Sequence, residues 1–226
     1  MTTRARTFIA AILGCGALLL ATAAVEWRSA NSTLFVGVLA LAMLAATRKI
    51  RLPKTTSNIS IGFLFILLGI ANFSFSEAIL LACATAAVQS AWSRRRPTLV
   101  QFAFNVSVLG LSTAAGFGGA VVVSRLLGAR SLVALLPMAM TVFFLVDTAL
   151  VSGVIALTES RHVNEVWRQC SLWAFPYYLV GSAVAAVVAA SSASIGWLAA
   201  LMVLPVMYMI YVFYRMYIER TQLQHN

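Results

Sequence analysis

Residues 132–157 read Leu-Val-Ala-Leu-Leu-Pro-Met-Ala-Met-Thr-Val-Phe-Phe-Leu-Val-Asp-Thr-Ala-Leu-Val-Ser-Gly-Val-Ile-Ala-Leu, 26 residues with a single charged side chain, Asp147. Such a run is longer than the roughly 20 apolar residues that cross the hydrocarbon core of a bilayer. Seven more apolar stretches surround it, at 7–25, 32–47, 59–73, 78–92, 99–124, 172–190 and 195–214. Two of them, 59–73 and 78–92, are short and separated by Ser-Phe-Ser-Glu. They are expected to be two short helices or a re-entrant pair, enclosed by protein rather than lipid. The reading is an all-α, polytopic transmembrane bundle of eight spans that fills the chain as one domain.

Composition agrees. Of 226 residues, 62% are hydrophobic and 10% charged, and mean hydropathy is +0.93. An average soluble domain carries about 25% charged residues, and its outer layer must be largely polar. These numbers exclude a soluble enzyme, a disordered chain and a nucleic-acid-binding domain, despite a net charge of +10.

The positions of the 16 basic residues explain that charge. With the N-terminus inside, 13 of them fall on the inner face. They are Arg4 and Arg6; Arg48, Lys49, Arg51 and Lys54; Arg94, Arg95 and Arg96; Arg161 and Arg168; Arg215 and Arg220. Arg28, Arg125 and Arg130 fall outside. The split follows the positive-inside rule and predicts an even number of spans with both termini cytoplasmic. The Arg48–Lys54 and Arg94–Arg96 clusters are then membrane-surface patches, attracted to anionic lipid by about 1 kcal/mol per charge. Trp27, Trp92, Trp167, Trp173, Trp197, Tyr214 and Tyr217 lie at span ends, as interfacial aromatics do. The first stretch is expected to remain as a helix. Its Arg4, Arg6 and Ala21-Thr22-Ala23 also suit a cleaved signal peptide, which would leave seven spans in the same orientation.

Polar residues at membrane depth are the candidates for chemistry. A carboxylate at mid-span is disfavoured by roughly 2.5–3.5 kcal/mol, so Asp147 should face protein or water and find a partner. It is a ligand, proton or cation contact, or a hydrogen-bonding hub between helices. Thr148 and Ser152 extend its polar surface. Gln101 and Asn105, four apart, share one helix face, and an amide there can pair with Asp147 or present donors and acceptors to a small ligand. Asn72 and Gln89 are candidates to join them. Pro137 and Pro176 lie near helix starts, where proline is benign, while Pro205 is mid-span and kinks its helix. Gly116, Gly118 and Gly119 allow close helix packing or local unwinding. Cys15, Cys83 and Cys170 are scattered, His162 and His225 are isolated, and no catalytic set, metal cluster or phosphate loop is present. The sequence calls for no catalytic residue, no metal and no cofactor.

Several motifs occur in order: Leu52-Pro53 before Ile59-Ser60-Ile61-Gly62-Phe63, then Ser76-Glu77-Ala78, Arg94-Arg95-Arg96-Pro97, Phe104-Asn105 and Asp147-Thr148-Ala149-Leu150-Val151. Trp173-Ala174-Phe175-Pro176-Tyr177-Tyr178-Leu179 follows, then Leu204-Pro205 and Tyr214-Arg215-Met216-Tyr217-Ile218-Glu219-Arg220. In this order, over roughly residues 51–220, the chain resembles the integral-membrane sensor domains of MASE type that precede HD-GYP or GGDEF domains in bacteria. More distantly, its layout is similar to the substrate-binding S components of vitamin transporters. The resemblance implies a non-catalytic sensory module that binds an unidentified small ligand and relays the event through its C-terminal helix (Pro205, Tyr214, Arg215, Tyr217) to a cytoplasmic partner or within a homo-oligomer. The sequence departs from the pattern at Asp147, where asparagine is expected, and it carries no HD or GGDEF domain. A small-solute transporter, or a transporter subunit, is the alternative that Asp147 would also serve. A ligand-free membrane scaffold is the third.

Overall fold

Thr2 starts the bundle. Its hydroxyl accepts the Ala5 N–H at 3.3 Å and so caps helix α1, Thr3–Val25, four residues before the apolar stretch begins. The computed structural model describes residues 2–47, 49–51, 58–60, 62–93, 96–127, 132–171 and 175–195. In these the order is α1, α2 (Ser32–Ala46), a hairpin of β1 (Lys49–Arg51) and β2 (Asn58–Ser60), then α3 (Gly62–Asn72), α4 (Phe75–Ala91), α5 (Leu99–Leu127), α6 (Leu132–Glu159), α7 (Val163–Ser171) and α8 (Phe175–Ile195). Three of these helices, at Thr3–Val25, Leu99–Leu126 and Leu135–Glu159, are long and apolar enough to cross a membrane.

Helix ends follow local chemistry. Ser74 and Glu77 form a capping box that starts α4 at Phe75, three residues earlier than hydropathy suggests. At the end of α6, Ser160 takes a left-handed conformation (φ 55°), and the Arg161 N–H reaches back to the Ala156 carbonyl at 3.1 Å. This is a Schellman-type stop with serine in the position that usually holds glycine.

Two expectations need correction. The stretch 59–73 is not helical throughout. Ile59 and Ser60 belong to β2, which pairs antiparallel with β1 in the register Lys49↔Ser60, Ile50↔Ile59 and Arg51↔Asn58, and the helix begins at Gly62. β-Branched Ile59 between two small polar residues suits a ladder better than a helix start. Second, the expected connection between 157 and 172 contains a helix of its own, α7.

Side-chain register orients the bundle. Gly16 meets Ser107, and Leu19 lies near Gly110, so α1 and α5 run parallel. Phe8 packs on Gly153, and the Thr2 hydroxyl reaches the Leu157 carbonyl at 3.3 Å, so α6 runs the other way. The starts of α1 and α5 and the end of α6 therefore share one end of the bundle. At the opposite end, the Ser74 hydroxyl lies 3.5 Å from the Arg28 carbonyl and Phe35 stacks edge-on against Phe73.

Helix α3 is the centre. Every residue from Gly62 to Ile70 is buried, with neighbours from α2, α4, α5, α6 and α8. At 11 residues it is about 16 Å long, too short to span. Enclosure by protein makes that length tolerable. Its shell is closed by small residues: a side chain at Gly181 of α8 would strike Phe63, and one at Gly116 of α5 would meet the Ala139 carbonyl at 2.9 Å.

Candidate functional site

Asp147 is the sixteenth of the 28 residues of α6. One turn before it, Phe143 and Phe144 join the central core. One turn after it, Leu150, Val151 and Val154 pack on Ile9 and Ile12 of α1 and on Phe104 and Val108 of α5. Spacing of three and four residues puts Asp147 on this same inward stripe, between two apolar clusters. The side chain is half-buried, and no described group hydrogen-bonds or ion-pairs with it.

Its neighbour Thr148 is fully engaged. The Thr148 hydroxyl donates to the Phe144 carbonyl at 2.7 Å and accepts the Trp167 indole N–H at 3.0 Å. Trp167 belongs to α7, whose Val166 is buried while Val163, Asn164, Glu165 and Arg168 are exposed. Thus α7 is a short amphipathic helix packed on α6, where buried Val166 and the Trp167–Thr148 bond hold it, the bond one residue from the carboxylate. A turn further along α6, the Ser152 hydroxyl is buried with no hydrogen-bond partner. Beyond α6 the Arg161 guanidinium bonds Glu165 at 2.9 Å and lies 3.6 Å from Glu159. The hydrogen bond and charge of Glu165, aided by Glu159, hold its pKa above the ordinary arginine value.

An aromatic cluster adjoins the site. Tyr178 of α8 lies 4.6 Å from Phe63, 5.2 Å from Phe144 and 6.2 Å from Phe143, ring centre to ring centre. Phe175 adds an edge contact to Phe144 at 5.3 Å. The surroundings are a carboxylate, a spare hydroxyl and ring faces. Among the described residues no group of three or more His, Cys, Asp or Glu is placed to hold a metal.

The other candidates are not gathered here. Asn105 is exposed and donates from Nδ2 to the Ser90 hydroxyl of α4 at 3.3 Å. The α5–α6 register, set by Gly116 against Phe143, leaves Asn105 about 10 Å along the bundle from Asp147. The expected Asn105–Asp147 pair is therefore absent, and Asn105 clamps α5 to α4. Gln101 caps: its Oε1 accepts the Thr98 N–H at 3.0 Å while its own N–H donates to the Thr98 hydroxyl. This Thr-x-x-Gln box is a sequence signal for the start of α5. Asn72 is exposed at the far end of α3 and donates to the Leu68 carbonyl of its own helix. Gln89 is half-buried on α4. Gly116 and Gly119 admit α6 to close approach, whereas Gly118 faces open space. Arg96 is exposed, and Lys49 and Arg51 lie on β1. Arg48, Lys54, Arg94, Arg95, Pro205, Tyr214, Arg215 and Tyr217, with the stretch 196–214, lie outside the described residues. No protein family, curated protein or solved structure matches the chain.

Proposed function

We propose that the chain is a non-catalytic sensory module of a bacterial inner membrane, multi-pass with both termini cytoplasmic. A small apolar or amphipathic ligand binds beside Asp147, and the consequence reaches a cytoplasmic partner. The observation that carries this reading is Asp147: an inward, half-buried carboxylate at mid-helix with no described partner. A charge in that place is disfavoured unless a proton or a ligand meets it, which supports a binding role. The ordered motifs shared with MASE-type sensors support the same reading, as does the distribution of basic residues.

Two routes lead outward. One is the C-terminal stretch of the sequence that holds Pro205, Tyr214, Arg215 and Tyr217. The other is Thr148, whose bond to Trp167 couples the residue next to Asp147 to the surface helix α7. A ligand moves these elements only if it prefers one of their arrangements.

The test is retention. Wild-type protein and Asp147→Asn are purified in mild detergent, checked for helicity, denatured, and their extracts compared by mass spectrometry. A small molecule present with wild-type and depleted at least tenfold with Asp147→Asn is expected; equal extracts refute the site. A mid-membrane carboxylate also favours a second reading, a solute transporter. That reading requires Asp147-dependent uptake into proteoliposomes, and absence of uptake across a broad solute panel decides for the sensor.

A further inference from the structure

The two ends of the bundle are unequal in charge. At the end away from Thr2, Glu26 and the buried Glu77 stand against Arg28 and Arg125, so the described charges there cancel. At the Thr2 end, the described acids beyond α6 are Glu159 and Glu165, and both pair with Arg161. Arg4, Arg6 and Arg96 are exposed at that end, and none of them has a described ion pair.

The register of α1 on α5 sets these three at one level. Gly16 meets Ser107 and Leu19 lies near Gly110, so the same offset holds at both contacts. Followed back towards Thr2, it places Val100 beside Ile9, and Ile9 shares an apolar cluster with Phe104, one turn on from Val100. Arg6 lies ten residues before Gly16, about 15 Å along α1. Leu99 starts α5 eight residues before Ser107, about 12 Å away, and Arg96 comes three residues earlier. The three arginines therefore surround the mouth of the α1–α5 seam.

Beside them the surface is apolar. Leu99 is 88% exposed, Val100 51%, and Trp92, which caps the end of α4, 69%. Water would leave this shelf unburied, and an acidic protein segment would answer the charges but not the shelf. A phospholipid of net negative charge answers both. Guanidinium groups hold phosphate oxygens through paired N–H donors, and acyl chains cover apolar side chains. Both α1 and α5 are long and apolar enough to cross a membrane, which sets their shared end at headgroup depth. Diffuse attraction to an anionic surface acts on every exposed cation, whereas this arrangement is confined to one seam.

We propose that Arg4, Arg6 and Arg96 bind the phosphate of one anionic phospholipid, whose chains lie on Trp92, Leu99 and Val100. The site rests on the membrane placement of α1 and α5, not on a ligand at Asp147.

The full chain in mild detergent, titrated with phosphatidylglycerol or with phosphatidylcholine of equal chain length and followed by native mass spectrometry, tests it. One phosphatidylglycerol should bind at least about tenfold more tightly than phosphatidylcholine. Arg6→Gln and Arg96→Gln should each weaken it about fivefold and together abolish the preference. Both side chains are exposed, so helicity should be unchanged. Arg168→Gln, on α7 and outside the seam, should leave the preference intact, as should Asp147→Asn. Equal affinity for the two lipids in wild-type would overturn the proposal. So would an equal loss in Arg168→Gln, the mark of diffuse attraction. Glycerol phosphate binding as tightly as the lipid would show that the shelf takes no part, and polyglutamate binding more tightly would assign the arginines to an acidic protein; either result overturns a lipid site.

Discussion

Replacing Gly116 with alanine adds one methyl group where three helices meet. A β-carbon built there lies 2.9 Å from the Ala139 carbonyl oxygen, 3.2 Å from Phe143 Cβ and 3.4 Å from Ile70 Cδ1. The first of these neighbours is main chain and the second is anchored to it, so neither rotates away; α6 must move. Overpacking of this kind destabilises by about 1–3 kcal/mol. Against it stands the gain in helix propensity from glycine to alanine, up to about 1 kcal/mol. The net expectation for Gly116→Ala is a loss of about 0–3 kcal/mol. Gly118, two residues on, has nothing within 4 Å of its built Cβ. Gly118→Ala should therefore show only the propensity term, a gain of up to about 1 kcal/mol. The pair makes a controlled comparison within one helix and one glycine cluster. Reversible unfolding in mixed micelles, titrated with a denaturing detergent, measures both. Gly116→Ala should be the less stable by about 1–3 kcal/mol. If it is as stable as Gly118→Ala, α5 does not press on α6 at this point, and the packing argument for the cluster fails.

Trp167→Phe keeps the ring's bulk but removes the N–H that bonds Thr148. It should cost about 0.5–1.5 kcal/mol and increase hydrogen exchange in α7 while leaving α1 and α5 protected. Unchanged exchange in α7 would show that the indole bond does not hold it. Ser160→Gly removes the strain of a left-handed serine and should stabilise by about 1 kcal/mol in the same unfolding titration; a loss would contradict the Schellman-type stop. Thr98→Ala breaks the box with Gln101 and should cost about 0.5–2 kcal/mol, with no change in what the protein retains on purification. A depletion matching that of Asp147→Asn would instead place the α5 cap in the ligand site.

Much of the bundle was legible because hydropathy is local. Stretches 32–47 and 99–124 match α2 and the body of α5 closely, whereas the boxes Ser74/Glu77 and Thr98/Gln101 read as a turn and a ligand face. Helix α3 was harder. Residues enclosed by protein on all sides and residues facing lipid are equally apolar, so composition does not distinguish a central helix from a peripheral one; only its length does. Helix α7 hid in a connection because its nine residues are too few for a span and its apolar residues, Val163, Val166, Trp167 and Cys170, stand among polar ones. The amides failed as site markers for a related reason. Spacing shows that Gln101 and Asn105 share a face of α5, but not that the face meets Thr98 and Ser90 rather than α6.

The two inward acids make the same distinction from opposite sides. Asp147 was conspicuous because 15 residues of its own helix precede it and 12 follow, so depth along the sequence already implied depth in the membrane. Glu77 lies three residues past a turn, where an acid is ordinarily solvated and serves the helix dipole. Its capping partner Ser74 meets the α1–α2 connection, nearly fifty residues earlier in the chain. Glu77 is 3% exposed, whereas the Asp147 side chain keeps partial exposure on its stripe. Accessibility favours exchange, and enclosure favours retention. The carboxylate open to exchange is therefore Asp147, while that of Glu77 serves the start of α4.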